Sequence, residues 1–275
     1  MNSGLRDLSI VVMLLALIGC STDSSPPIQP QTNSLEGVSE KSPKEAREKA
    51  IAEIKKAGGK VGMVALGEDV LSVSFFSGEK YGVKNKATDA TLVHLKPLTE
   101  MWKLSLYGVG FTDAGLDHVK QMTNLEILSL SETQVTDVGL VHLKEMTSLI
   151  ELDLSYTKVT DAGLVNLKGM TSLHRLNLGN TKVTDAGLVH LKGLTNLHRL
   201  SLSYTKVTDD GLKHLSGLST LERLYLDHAR ISDDGLKHLS GLNNLQYLSL
   251  ANTPHITDEG VKMLKESLPD CKILR

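Results

Sequence analysis

The sequence has few aromatic residues, few cysteines and almost no net charge. Aromatic residues make up only 4% of the 275 positions, which argues against a carbohydrate-binding module lined with many rings. The formal net charge of -2 gives no general preference for nucleic acid. The two cysteines, Cys20 and Cys271, do not provide a conventional disulfide framework.

The sequence also lacks the short motifs that usually carry chemistry. No Ser-His-Asp set, phosphate-binding glycine loop or metalloprotease pair occurs at a meaningful spacing. The apolar run over residues 8–18 is too short to span a bilayer. We therefore expect that the protein is not an enzyme and needs no cofactor.

What the sequence does contain is a repeat of 24 residues. A Thr-Asp or Ser-Asp pair marks each unit, and the last step is 25 residues because Pro254 and His255 take the place of one residue. The pairs begin at Thr88, Thr112, Thr136, Thr160, Thr184, Thr208, Ser232 and Thr257. A fixed period of this length indicates a repeat architecture.

Within one unit the hydrophobic spacing changes from two to three. Leu176 and Leu178 alternate with a polar residue, which predicts a strand. Leu164, Leu167 and Met170 step by three, which predicts the inward stripe of a short helix or helical turn. Each unit therefore contains a strand and a short helix that bury their apolar side chains against each other.

The ends of the helix carry their own signals. Thr160 is placed to cap it, and Asp161 lies in its first turn, where negative charge opposes the helix dipole. Gly169 predicts a left-handed residue at the exit. One unit alone should not fold, because about seven buried apolar side chains at about 2 kcal/mol each do not offset the entropy of ordering its chain. Stacked units share strand hydrogen bonds and bury both flanks.

The pattern LxxLxL followed by Thr or Asn resembles a leucine-rich repeat protein over about residues 88–275. The TDxGL wording is similar to repeats of bacterial leucine-rich-repeat lipoproteins and, more distantly, to the cysteine-containing repeats of F-box proteins. The resemblance implies an α/β leucine-rich repeat solenoid with a curved parallel β-sheet on its concave side and short helices on its convex side. Thr stands where Asn is commonest, and Ala229 lacks the hydroxyl that could satisfy a backbone group there.

Residues 1–19 are typical of an export signal, with Arg6 ahead of the apolar run. The segment Leu17-Ile18-Gly19-Cys20 resembles a bacterial lipobox, in which cleavage precedes the cysteine and that cysteine carries the lipid. Lipidated Cys20 would anchor the protein to the cell envelope, with the outer membrane as one possible location. An ordinary signal peptide with an incidental Cys20 is the alternative, and the protein would then be secreted.

Three further segments follow the signal. Residues 20–42 are rich in Ser, Pro and Gln and predict a disordered tether. Residues 43–87 predict an amino-terminal cap, with a helix from Pro43 and then two strands that cover the first open face of the solenoid. The repeats and a degenerate last strand occupy residues 88–275.

The residues between the inward leucines of each strand point outward from the concave sheet of a leucine-rich repeat. They place Arg175, Arg199 and Arg223 in one column, on strands about 4.8 Å apart. Like charges at this spacing are unfavourable unless an anion neutralises them. Either nearby carboxylates and water do so, or an acidic partner surface lies across this arginine ladder.

Arginine and tyrosine together are typical of protein-binding hot spots. Tyrosines gather on the same predicted face. The predicted binding residues of the concave face are Lys103, Tyr107, Glu151, Asp153, Arg175, Asn177, Arg199, Arg223, Tyr225, Asp227 and Tyr247.

Two other columns raise the question of a metal site. One is the histidine column His94, His118, His142, His190, His214 and His238. Ligands spaced by one repeat do not converge on a metal ion, so we interpret this column as packing at the helix edge. The aspartates that follow each Thr or Ser are explained by the helix start rather than by calcium. His174 and His198 are assigned to the rim of the concave face, and Cys271 to the core.

The sequence therefore predicts a non-catalytic protein-protein interaction module, tethered to the bacterial cell envelope, that binds through its concave sheet. The expected partner is a protein or peptide with an acidic surface, and the membrane is contacted through lipidated Cys20. Two alternatives remain: a substrate-recognition subunit of the F-box leucine-rich-repeat type in a ubiquitin-ligase-like complex, and an envelope glycan-binding protein. The export signal and the missing room for an F-box disfavour the first, and the few aromatic residues disfavour the second.

Overall fold

The computed structural model describes residues 42–65, 69–76, 87–108 and 110–275. Residues Lys41–Arg275 cluster as one compact unit. The predicted export signal, Cys20 and nearly all of the predicted tether lie outside the described residues, as does most of the loop between the cap and the repeats.

A capped helix opens the described part of the chain. Helix α1 spans Pro43–Lys56, as the proline predicted. The Ser42 hydroxyl accepts a hydrogen bond from the Glu45 amide, and the Glu45 carboxylate accepts one from the Ser42 amide, which together make a capping box. Ala50 and Ile54 of α1 are buried in the core, so the helix covers the first open end of the repeats.

Ten strands form one sheet, and their order in the sheet follows their order in the chain. The predicted cap strands β1 and β2 pair antiparallel, and every later pair is parallel. The strands are β1 (Lys60–Ala65), β2 (Asp69–Phe76), β3 (Met101–Tyr107), β4 (Ile127–Ser129), β5 (Glu151–Asp153), β6 (Arg175–Asn177), β7 (Arg199–Ser201), β8 (Arg223–Tyr225), β9 (Tyr247–Ser249) and β10 (Lys272–Leu274). From β4 to β9 each strand is displaced by one repeat, so equivalent residues of neighbouring units are direct partners.

Short helices form the opposite layer. They are α2 (Asp113–Leu116), α3 (Asp137–Leu140), α4 (Asp161–Leu164), α5 (Asp185–Leu188), α6 (Asp209–Leu212), α7 (Asp233–Leu236) and α8 (Asp258–Ser267). A three-residue 3₁₀ turn continues each of α3 to α7, and a longer 3₁₀ helix at Asp89–Leu95 opens the repeats. None of the helices in the described ranges combines the length and the apolar character that crossing a membrane requires.

The core lies between the sheet and the helices, as the change of hydrophobic period predicted. In the unit around α4 and β6, seven apolar side chains are each 1% exposed or less. They are Val159, Leu164, Leu167, Met170, Leu173, Leu176 and Leu178. The same positions are buried in neighbouring units, so one continuous core runs through the repeats. This is the packing expected of a solenoid, whose single units cannot bury their flanks alone.

The left-handed residue of each repeat follows the strand, and the prediction that Gly169 adopts this conformation was wrong. Gly169 has an ordinary backbone conformation and an open surrounding. The positive φ angles fall instead at Glu132, Tyr156, Asn180, Tyr204, His228 and Asn252. The chain must turn sharply there to leave the sheet, whereas the helix can end through a 3₁₀ turn without such a residue.

The aspartate of each helix start bonds to the next repeat, which the sequence analysis missed. The Asp137 carboxylate accepts hydrogen bonds from the Thr160 amide at 2.7 Å and the Thr160 hydroxyl at 2.6 Å. The same hydroxyl accepts a bond from the Ala162 amide at 3.3 Å, so the predicted capping role of Thr160 is confirmed. A side chain on Gly163 would place its Cβ only 2.5 Å from Asp137 Oδ1, which explains the glycine at this position.

The threonine that replaces the usual Asn satisfies a buried carbonyl. Thr181 donates its hydroxyl to the Leu178 carbonyl at 2.7 Å, and four other repeats repeat this bond. Ala229 occupies the same position and is 3% exposed, but it has no hydroxyl to donate. The sequence-based prediction about the threonines is therefore confirmed, and Ala229 leaves the Leu226 carbonyl without this donor.

Candidate protein-binding face

The short strands expose two columns of side chains. Positions 1 and 3 of each short strand flank one buried leucine, as in Arg175–Asn177. Ser131, Ser155 and Ser203, each two residues after a short strand, are less than 10% exposed. Of the predicted binding residues, Asp227 takes the equivalent position after β8 and Tyr107 is the last residue of β3, and both are partly buried. The candidate face therefore consists mainly of these two columns.

The arginine ladder is present as predicted. Arg175 pairs in register with Arg199, and Arg199 pairs with Arg223, so the three side chains leave neighbouring strands at equivalent positions. The positive charges of the three arginines have different neighbours. Arg175 donates to Glu151 at 3.1 Å, and the Arg199 guanidinium lies 4.8 Å from the centre of the Tyr225 ring.

Arg223 ends the ladder, and its side chain is exposed. The structure gives it no ion pair with any residue in the described ranges. Its neighbour on the next strand is Tyr247, which carries no charge. The Tyr225 and Tyr247 rings lie 5.5 Å apart at 45°, so an aromatic pair borders the free cation. A cation beside two amphipathic rings is suited to contact an anionic group of a partner.

Three predicted binding residues serve the turns that follow the strands. Asp153 Oδ1 accepts hydrogen bonds from the amide and the hydroxyl of Ser155, and Asn177 Oδ1 accepts one from the Gly179 amide. Asp227 accepts bonds from the Ser203 hydroxyl, the Ser249 hydroxyl and the Ala251 amide. Asp153 and Asn177 bond the residue two positions ahead, as Asp and Asn commonly do. Asp227 instead bonds residues of the repeats on either side. These side chains therefore hold the loops beside the ladder in place.

A depression of about 270 Å³ collects six of the predicted residues. It is lined by the exposed Arg175 and Arg199 and the partly buried Glu151, Asp153, Asn177 and Tyr225, together with Ser201 and two strand leucines. Acidic groups lie at one end, arginines in the middle and the tyrosine at the other end, in the order of the strands. This depression can receive a side chain or a short segment of a partner.

Lys103 and Tyr107 lie apart from this group. Both belong to β3, three strands away from β6, which is about 14 Å across a sheet. The Tyr107 ring packs against Phe76, with centroids 6.3 Å apart. The structure therefore divides the predicted residues into a central group around the ladder and an amino-terminal pair.

The histidines assigned to the rim form a feature that the sequence did not reveal. His174 and His198 are stacked, with ring centroids 4.9 Å apart and ring planes 2° from parallel. Together with Arg175, Arg199, Arg223 and Glu222 they line a second depression of about 330 Å³. The recurrence of His one residue before Arg in two successive repeats was the available signal.

The other histidine column behaves as part of the helix edge. His142 Nδ1 lies 3.9 Å from Asp117, and His190 Nδ1 is buried without a hydrogen-bond partner in the described part of the chain. Asn166, which replaces His once, donates to the Gly163 carbonyl. The described residues contain no group of three or more His, Cys, Asp or Glu that could hold a metal ion.

Cys271 lies in the core, as predicted. It is 1% exposed, and burial raises the pKa of its thiol above the ordinary value. A thiol in this state is a poor nucleophile at neutral pH because little of it is ionised. The residue therefore serves packing between α8 and β10.

Models of known families match several parts of the repeat region. The family described as leucine-rich repeats (2 copies) matches residues 147–192, and the family described as leucine-rich repeat matches residues 171–231. Another family of that description matches residues 121–143 and 241–265. A search of curated proteins gave no match.

Similarity to a solved structure supports the leucine-rich repeat fold. The chain is similar to an internalin C2 from Listeria monocytogenes str. 4b F2365, with 29% identity and a TM-score of 0.56, over 74% of this chain and 80% of that one. An internalin inlF from the same organism has 25% identity and a TM-score of 0.43, over 66% of this chain and 63% of that one. The matched repeats, the sheet in chain order and the short helices show that the described chain folds as a leucine-rich repeat solenoid.

Proposed function

We propose that this protein is a non-catalytic interaction module that binds an acidic protein or peptide through the arginine ladder of its concave sheet. The observation that carries the proposal is the register of Arg175, Arg199 and Arg223 on three neighbouring strands. Repeat proteins of this kind bind partners on their extended concave surfaces. The similarity to an internalin C2 structure supports an interaction role over a catalytic one.

The ladder costs free energy in the isolated protein. Three like charges on adjacent strands repel one another, and only Arg175 has a carboxylate within 4 Å among the described residues. A row of carboxylates on a partner would neutralise the other two arginines and could bond each guanidinium in a bidentate manner. Binding therefore relieves a repulsion that the fold itself maintains.

The tyrosines would supply the apolar part of the contact. Tyr225 supports the Arg199 guanidinium from one side, which leaves less side-chain freedom to be lost on binding. The Tyr247 ring extends this surface by one strand. Tyr and Arg at the centre of an interface are the residue types that most often dominate affinity.

The location proposed for the module is the bacterial cell envelope. The support for it is in the sequence: an export signal at residues 1–19, a lipobox-like segment ending at Cys20, and a polar tether before the cap. A lipid on Cys20 would hold the repeats near a membrane without fixing their orientation. Cys20→Ser should release the protein from washed membranes into the soluble fraction, whereas retention on the membranes would contradict the anchor.

The binding face can be tested by crosslinking in the bacterium that produces the protein, followed by mass spectrometry of the captured partner. Arg199→Glu should reduce capture by at least about tenfold, because it reverses the central charge of the ladder. Lys192→Glu makes the same charge change on the helix side, where the side chain is also exposed, and should leave capture unchanged. Tyr225→Ala should act like Arg199→Glu if the cation-π support matters.

Each variant needs a thermal unfolding measurement. Arg199 is exposed and Tyr225 is partly exposed, so we expect neither substitution to affect folding. Equal capture by wild type and Arg199→Glu, with folding intact, would show that the partner binds elsewhere. Loss of capture in Lys192→Glu would point to the helix side instead.

A further inference from the structure

His174 and His198 lie along the edge of the arginine ladder, in the row of residues that precedes the strands. The row is continuous, because the His174 amide donates to Ile150, the His198 amide donates to His174, and the Glu222 amide donates to His198, through backbone carbonyls at 2.8 to 2.9 Å. The two imidazoles are therefore successive members of one column. The ladder runs parallel to this column, one residue further along the chain.

Both rings are held in the same tautomer. Nδ1 of His174 lies 2.7 Å from the Ser172 carbonyl oxygen, and Nδ1 of His198 lies 2.7 Å from the Asn196 carbonyl oxygen. A carbonyl oxygen only accepts, so Nδ1 carries the proton in each ring. Nε2 is then a free acceptor when the ring is neutral, and it becomes a donor only when the ring gains a proton. The structure gives neither Nε2 a hydrogen-bond partner among the described residues.

The surroundings of the pair are strongly cationic. Arg175, Arg199 and Arg223 line the same depression as the rings, and Glu222 is the one carboxylate in that lining. On the other side of His174 the row continues with the uncharged Ile150. The carbonyl-bearing neighbours Ser172 and Asn196 are also uncharged.

An anion in the depression would interact more strongly with protonated rings than with neutral ones. Each protonated ring would offer the anion a positive charge and an Nε2 donor, in addition to the three arginines. By linkage, a ligand that favours the protonated rings binds more tightly as the pH falls.

We propose that His174 and His198 extend the arginine ladder into a proton-linked site for clustered carboxylates of the partner. The depression of about 330 Å³ has room for several such groups, and its cations are spaced by one strand of the sheet. Binding at pH 5.5 should take up protons and be stronger than binding at pH 7.5. This inference rests on the proposed role of the ladder and adds a dependence on pH to it.

The test uses the full chain and a hexa-aspartate peptide as the probe. The amino terminus of the peptide is acetylated, because a free α-amino group titrates near pH 8. The aspartate carboxylates stay ionised between pH 5.5 and 7.5, so any change in affinity comes from the protein. Titration calorimetry at constant ionic strength should show about a tenfold rise in affinity from pH 7.5 to 5.5. Repeating the titration at pH 6.5 in two buffers of different ionisation enthalpy should show net proton uptake, up to two protons per complex.

A double variant separates the histidines from the rest of the site. His174→Gln combined with His198→Gln should lose most of the rise in affinity between pH 7.5 and pH 5.5. The matched control is His214→Gln combined with His238→Gln, two partly buried histidines of the helix-edge column, which should keep the full rise. Circular dichroism at both pH values checks that every variant is folded.

The outcomes distinguish this inference from the proposed function. Peptide binding that is weakened by Arg199→Glu but is equal at both pH values would overturn the role of the histidines and leave the ladder as the binding face. A rise that persists in the His174→Gln, His198→Gln variant would also overturn it. Failure of the peptide to bind at either pH would count against the acidic partner itself, and so against both proposals.

Discussion

Asp209 accepts two hydrogen bonds from Ser232, one from the amide at 2.8 Å and one from the hydroxyl at 2.6 Å, although 23 residues separate them. The same pair of bonds joins every consecutive repeat from Asp89 and Thr112 to Asp233 and Thr257. These aspartates form a row along the helix side, which we call the carboxylate ladder. On the other side, the strands of neighbouring repeats are joined by the backbone hydrogen bonds of the sheet. The two together fix the register in which the concave columns align.

Removing one aspartate of the carboxylate ladder should destabilise the fold. Asp209→Ala leaves the Ser232 amide and hydroxyl without their charged acceptor, and we expect the free energy of unfolding to fall by about 2 kcal/mol. The chain offers an adjacent control, because Asp210 is exposed and its carboxylate pairs only with the exposed Lys213 among the described residues. Asp210→Ala should change stability much less. Urea unfolding of both variants measures the difference in the free energy of unfolding. Equal losses of stability would show that the bonds between Asp209 and Ser232 stabilise the fold no more than the exposed pair of Asp210 and Lys213 does.

Restoring the missing hydroxyl should stabilise the repeat that lacks it. Ala229→Thr places a donor where five other repeats have one, beside the carbonyl of Leu226. We expect a gain of about 1 kcal/mol in the free energy of unfolding, the typical net value of a hydrogen bond. Ala229→Val has the same shape as Thr without the hydroxyl, so it isolates the effect of the bond. If Thr and Val raise stability equally, apolar burial accounts for the gain.

The left-handed turns give a prediction about backbone conformation. Tyr156 has a φ of 57°, and equivalent residues in other repeats are Asn180 and Asn252. Asn tolerates this conformation, whereas a β-branched residue does not. We expect Tyr156→Val to be less stable than Tyr156→Asn by about 1–2 kcal/mol. Thermal unfolding compares them, and a Val variant as stable as the Asn variant would contradict strain at this turn.

The stability of the fold should depend on pH through Asp233, the last aspartate of the carboxylate ladder. Hydrogen bonds from the hydroxyl and then the amide of Thr257 lower the pKa of Asp233. A lowered pKa in the folded state stabilises the protein above the ordinary pKa of Asp, about 4, and this contribution is lost as the pH falls through the lowered value. The stability difference between wild type and Asp233→Asn should therefore be full at pH 6 and shrink below pH 4.

Urea unfolding at a series of pH values measures that difference. Thr257→Val removes the hydroxyl that contributes most to the lowered pKa, and it should reduce the effect of Asp233→Asn at pH 6. A difference that stays constant down to pH 2 would contradict the role of the ionised carboxylate.

The repeat fixes most of the architecture before any coordinates are known. The 24-residue period, the change of spacing between Leu164 and Leu178, and the threonine and proline signals predict strands, helices and core where the structure places them. They also predict the column that contains Arg175, Arg199 and Arg223, because in a parallel sheet with one strand per repeat equal positions become neighbours. Local periodicity is sufficient for these features.

Other features depend on contacts between repeats, which one unit does not encode. The bonds that Asp209 accepts from Ser232 and the stack of His174 on His198 join residues about one repeat apart, and their geometry follows from how the units stack. The same holds for the bonds that Asp227 accepts from neighbouring repeats, which a list of exposed carboxylates cannot distinguish from binding residues. The sequence by itself determined the solenoid and its columns, because hydrophobic period is a local property. Only the tertiary structure decided which charged side chains of those columns bond to other residues of the fold and which remain available to a partner. That distinction depends on distances between units.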